Sequence, residues 1–158
     1  MSTPQRGWAP PGVRPQAPRQ VVREYVYADT AVAPACGLMT SLILPYAHTA
    51  RRTLFLDHVS HTGADDVSVR QVARAGWHTA HARKIPENSR LIPQPSYSPE
   101  LKPVEHIGDE GRETWFQNRV FQALSTVVDT LAEGVRSLAA HPAQVRSLTH
   151  FPHFRVLR

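Results

Sequence analysis

The chain has 158 residues, 41% of them hydrophobic and 20% charged, which suits one domain with its own core and excludes a disordered chain. Eighteen Lys and Arg against thirteen Asp and Glu leave a net charge of +5, so an anionic partner is expected, nucleic acid first. A single cysteine, Cys36, permits no internal disulfide; no apolar run approaches the roughly 20 residues that cross a bilayer and the N-terminus has no apolar signal core, so a cytoplasmic protein with no membrane role is expected.

Residues 1–20 carry Pro4, Pro10, Pro11, Pro15 and Pro18. Proline removes a backbone donor and holds its predecessor extended, so this segment is an irregular arm. The alternating stretch REYVYADTAV (23–32) reads as a strand, PACG (34–37) as a turn, and LMTSLILPY (38–46) as the second strand of a hairpin. From Ala47 to His61 the period changes: Ala47, Ala50, Leu54, Phe55 and Val59 form one apolar helix face, closed by Gly63. DDVSVRQVA (65–73) is a third strand, and residues 79–90 are a short helical turn and loop. RLIPQP (90–95) is a short fourth strand confined by its prolines.

Residues 96–116 begin as a loop, with Ser98 as an N-cap and Pro99 at the first helical position. Pro103 delays the regular helix until about Val104. A last helix starts near Arg119, where Phe121, Leu124, Val128, Leu131, Val135 and Leu138 form a core stripe, and Pro142 ends it before a short helical or irregular tail. The order β, β, α, β, (α), β, α, α implies an α/β fold, a mixed sheet with helices on its faces.

Few residues offer chemistry. Glu105 opens a helix and Asp109 lies four residues on, so both carboxylates share a face that suits a hard divalent cation or simply the helix dipole. His58/His61 and His78/His81 have the spacing of half a zinc site but lack third and fourth ligands. Cys36 sits in a turn with no histidine near it in sequence, so it is not read as a catalytic thiol. Neither a Gly-rich phosphate loop nor a Gly-x-Ser-x-Gly elbow is present.

Three stretches are more specific: RGWAPPGVRP (6–15), AGWHTA (75–80) and IPENSRLIPQPSYSPELKPVEHIGDEGRETWF (85–116). Together they resemble the DDE transposases of bacterial insertion sequences related to the mariner group, the insertion-sequence 630 family. REYVYADTAVAPACG and NRVFQALSTVVDTLAEGVRSL extend the resemblance over nearly the whole chain. It implies an RNase H-like fold and phosphoryl transfer on DNA at transposon ends, with three carboxylates holding two Mg²⁺ or Mn²⁺ ions.

Carried over by position, Glu105 in PVEH matches the third acid and thus a metal ligand. The second acid belongs where Ala73 stands, beside Arg74, with Trp77 and His78 shaping the site floor. The first would lie on a strand ahead of GWAPPG, so the expected fold is a truncated RNase H-like sheet lacking its first, central strand. Lys102 replaces an asparagine, and Gly108 and Gly111 replace large apolar residues, at about 1 kcal/mol each in helix propensity.

No other acid substitutes. Asp66 is seven residues before Ala73, roughly 23 Å along a strand; Asp29 lies where the family has no ligand; Asp109 adds to Glu105 only weakly.

The expected organisation is a proline-rich arm at 1–20, the truncated endonuclease domain at 21–117, and a C-terminal helix and tail at 118–158 packing on it. The expected function is that of a catalytically inactive transposase remnant with no productively bound metal. The alternatives are a non-cutting DNA-binding fragment using Arg6, Arg14, Arg19 and Arg23, and a homo-oligomer or dominant-negative partner of an intact transposase.

Overall fold

The computed structural model describes residues 9–13, 24–45, 49–62, 67–72, 84–95, 98 and 101–152. Alternating, β-branched sequence forms an antiparallel hairpin of β1 (Tyr27–Ala33) and β2 (Leu38–Leu44), in register from Tyr27 opposite Leu44 to Ala33 opposite Leu38. The Cys36 and Gly37 amides donate to the Ala33 carbonyl at 3.2 and 2.8 Å and close the turn. Gly37 has φ +72°, and a Cβ there would lie 2.0 Å from the Pro142 carbonyl oxygen, so only glycine fits the turn and its neighbour together.

The pleat divides the hairpin's side chains between two layers. Asp29 and Thr40 reach α1 (Thr49–Thr62) on one face. Val32 and Met39, on the other, pack against Ile107, Leu138 and Val145. The predicted apolar face of α1 is corrected: Phe55, Leu56 and Ser60 are buried, whereas Leu54 is 48% exposed. The reason is that α1 serves two sheets. His58 Nε2 lies 3.0 Å from Thr40 Oγ1 in the hairpin, while the Leu56 and Ser60 carbonyls accept bonds from Arg70 (3.2 Å) and Asn88 (3.1 Å) of the second sheet.

That second sheet is a parallel pair, β3 (Ser68–Val72) and β4 (Ser89–Pro93), in register from Ser68 opposite Ser89 to Val72 opposite Pro93. Pro93 is the last residue of β4. The predicted single mixed sheet is therefore corrected to two small ones: among the described residues β1 pairs with β2 and β3 with β4, with no ladder joining the pairs.

Three helices complete the fold: α2 (Pro103–Thr114), α3 (Leu124–Ala139) and α4 (Pro142–Thr149). The last long helix begins at Leu124, not Arg119. Asn118 takes a left-handed φ of 50°, which breaks the helical path. Phe121 is buried in the loop instead, 5.6 Å from the Phe116 ring and beneath the Arg119 guanidinium at 5.5 Å. Ser98 is likewise not the cap of α2, whose N-cap is Lys102 with Pro103 following; the Ser98 carbonyl instead accepts from the Leu101 amide at 3.3 Å.

The core holds Ile107, Leu138 and Val145, with Trp115 and Leu148 packed on it. Gly111 and Gly134 make room for the Trp115 indole: a Cβ on either would fall 2.8 or 2.3 Å from it. The expectation that Gly111 only weakens its helix is thus corrected, because its missing side chain is occupied by tryptophan.

Candidate functional site

The carboxyl end of the β3–β4 ladder leads into the helix that carries the best sequence candidate. The Gln94 amide donates to the Val72 carbonyl at 2.8 Å, adding one more rung. The Gln94 side chain, buried, donates to the Ser98 carbonyl and ties the ladder end to the loop. Four residues later Lys102 caps α2 in an extended conformation, φ −108° and ψ 99°. Pro103 then supplies a fixed φ where an amide donor has no partner. These constraints put Glu105 in the first turn of α2, with its amide bonded to the Lys102 carbonyl at 3.0 Å.

Glu105 is 47% exposed and its Oε1 accepts from Lys102 Nζ at 3.3 Å. Asp109, on the same helix face, is exposed and paired with Arg112. Asp29 is 5% exposed and paired with Arg52 of α1. It faces α1, whereas the face of the hairpin bearing Val32 meets α2, so Asp29 and Glu105 stand on opposite sides of the sheet. Burial pushes the Asp29 carboxyl above its usual range, opposed by the charge of Arg52 and its hydrogen bond. Burial likewise lowers the Arg52 guanidinium, opposed by the charge of Asp29 and the same hydrogen bond.

Ala73, Arg74, Trp77, His78, His81, Asp65, Asp66 and the arm residues Arg6, Arg14, Arg19 and Arg23 lie outside the described residues. His58 meets Thr40, and His61 Nδ1 lies 2.7 Å from the Asp57 carbonyl oxygen. Cys36 is exposed in the hairpin turn. A two-metal centre needs several carboxylate oxygens within about 2–2.6 Å of the ions. Among the described residues no three of His, Cys, Asp and Glu come together as metal ligands, and Glu105, Asp109 and Asp29 each have a basic partner. The described residues do not fit a divalent pair. Sequence reading passed over the Asp29–Arg52 pair, although its signal was there: one acid inside an apolar β run and one cation inside the next helix.

The fold is similar to that of a solved transposase. The chain superposes on Mos1 transposase, solved as a paired-end complex with the left transposon end, with a TM-score of 0.62 and 15% identity. The match covers 95% of this chain and 52% of that one, so this chain spans about half the length of Mos1. By sequence the chain belongs to the family of the uncharacterized protein y4pE/y4sA of Sinorhizobium fredii (strain NBRC 101917 / NGR234). The two are 30% identical over 125 residues, 78% of this chain and 93% of the relative. No protein-family model matches the chain. Among the described residues no helix is long and apolar enough to cross a membrane.

Proposed function

We propose that this protein is a remnant of a DDE transposase of the insertion-sequence 630 type that engages DNA without cutting it. The observation that carries the reading is Glu105: it opens a helix that leaves the carboxyl end of a parallel ladder, in a transposase fold, and its nearest charged partner is Lys102 rather than a second acid. Ala73 follows directly on β3, where the second acid would be required. We read the two small sheets, the hairpin and the parallel pair, as parts of an RNase H-like sheet, with α1 holding both. In this reading residues 21–117 are the endonuclease remnant and 118–158 its C-terminal cover, and the protein works in the cytoplasm.

Incubation with Mg²⁺ or Mn²⁺ and DNA bearing the element's ends is expected to give no nicked product. Cleavage that disappears in Glu105→Gln would overturn the proposed inactivity.

Binding is expected through the basic arm, including Arg6, Arg14, Arg19 and Arg23. Four phosphate contacts give a slope of log affinity against log salt of about −3.6, and less for each arginine replaced by alanine. Gel shifts at several salt concentrations measure this; an affinity indifferent to salt would exclude the arm as the contact. A partnership with an intact transposase through the Phe121–Leu138 stripe is a weaker reading. Phe121 and Leu138 are buried within this chain, which favours a stripe that covers its own sheet.

A further inference from the structure

Resting on the proposed reading of Glu105 as the surviving acid, we infer that Lys102 occupies the role a divalent cation would have at Glu105, as basic side chains also pair with Asp29 and Asp109. Three pairs carry this. Asp29 is held by Arg52 between β1 and α1, Glu105 by Lys102 at the start of α2, and Asp109 by Arg112 one turn further on. The Asp29 pair joins a strand to a helix, whereas the other two are i, i+3 pairs along α2 and its cap.

The Lys102 pair bears directly on metal binding. Lys102 is the N-cap residue of α2, fixed by the extended backbone that precedes Pro103, and only 28% of its side chain is exposed. Its ammonium lies 3.3 Å from the carboxylate oxygen that would ligate an ion. An ion bound to that oxygen at about 2–2.6 Å would stand within a few ångströms of the ammonium, where like charges repel strongly even near a surface. The ion would also have to release the carboxylate from its present partner. Glu105 adds one acidic side chain and Asp109 is already engaged by Arg112. Among the described residues a hard cation that requires several oxygens thus finds a single carboxylate there, already paired with an ammonium.

Mn²⁺ binding to the full chain tests this, read from the electron paramagnetic resonance of the free ion in the wild type, Glu105→Gln, Lys102→Asn and Lys102→Asn/Glu105→Gln. The readout is metal binding and not DNA, so it stands apart from the test of DNA engagement. Wild type and Glu105→Gln are expected to behave alike. Lys102→Asn is expected to bind Mn²⁺ about tenfold more tightly, as loss of a neighbouring positive charge predicts, and the double variant to lose that gain. Asparagine is a favourable N-cap, so α2 is retained in the variant, which far-UV circular dichroism verifies. Glu105-dependent Mn²⁺ binding in the wild type would overturn the inference. So would a Lys102→Asn protein no tighter than wild type, or a gain that persists without Glu105.

Discussion

Gly134→Val is expected to destabilise the fold by about 3 kcal/mol, the upper range for overpacking a well-filled site. The position lies inside α3, where glycine costs about 1 kcal/mol against alanine in helix propensity. A side chain would therefore help if there were space. There is none: an added Cβ would come 2.3 Å from Cδ2 and 2.4 Å from Cε2 of Trp115, the fused bond of the indole, which has no free end to swing away. Trp115 also lies against Gly111, where a Cβ would fall 2.8 Å from the ring, and it packs on the Ile107–Leu138–Val145 core.

Gly108→Ala provides the contrast. Its nearest atom is the Nη1 of exposed Arg112, at 3.7 Å, so the propensity gain of up to about 1 kcal/mol should survive as added stability. Urea denaturation of both variants checks the signs. Trp115→Leu/Gly134→Val is expected to be more stable than the sum of the single changes, because the two residues compete for one volume. Simple additivity would show that the indole does not fill the space above Gly134.

The same glycines show where sequence reading stopped. The hairpin, the position of α1 and the two short strands were legible because alternation, a change to helical period and proline punctuation are local signals. Pro142 marks a boundary legible in the sequence, for the fixed φ that ends one helix also starts the next. The start of α3 was not legible: Phe121 continues the apolar spacing of the helix, yet it is buried from a loop by Phe116 and Arg119, which are contacts of the tertiary fold. Gly111 looked like a defect because its partner, Trp115, lies in a turn whose direction no periodicity reports. Of the candidate site, the place of Glu105 in a helical first turn could be read from LKPVEH. Its pairing with Lys102 depends on the extended cap before Pro103, which residue spacing alone does not define.

The largest electrostatic effect is expected at Arg52. Arg52→Met keeps much of the apolar stem and removes the charge, leaving Asp29 buried without its ion partner. Breaking a buried pair in this way costs about 3–5 kcal/mol. The pH dependence then follows from the direction of the Asp29 shift. Burial holds its folded-state pKa above the ordinary 3.8, with Arg52 pulling it partly back. An acid whose pKa rises on folding contributes stability below its unfolded pKa, and that contribution is lost as pH rises through the folded value. Taking Arg52 away removes the lowering influences, so the shift grows and the ionised form becomes harder to bury. The penalty of Arg52→Met should therefore be greatest near neutral pH and shrink as pH falls through the carboxylate range, where Asp29 takes up a proton.

Asp29→Leu/Arg52→Met removes both charges. It should be close to wild type or more stable, as replacement of a buried pair by apolar side chains often is, and, lacking Asp29 and its raised pKa, it should gain on wild type as pH rises through the carboxylate range. Denaturant titrations at neutral pH and near pH 4 measure all three proteins. An Arg52→Met penalty that stays constant with pH would mean that the cost arises from lost packing rather than from a stranded carboxylate. A double variant as unstable as the single one would mean that the pair itself holds α1 on the hairpin.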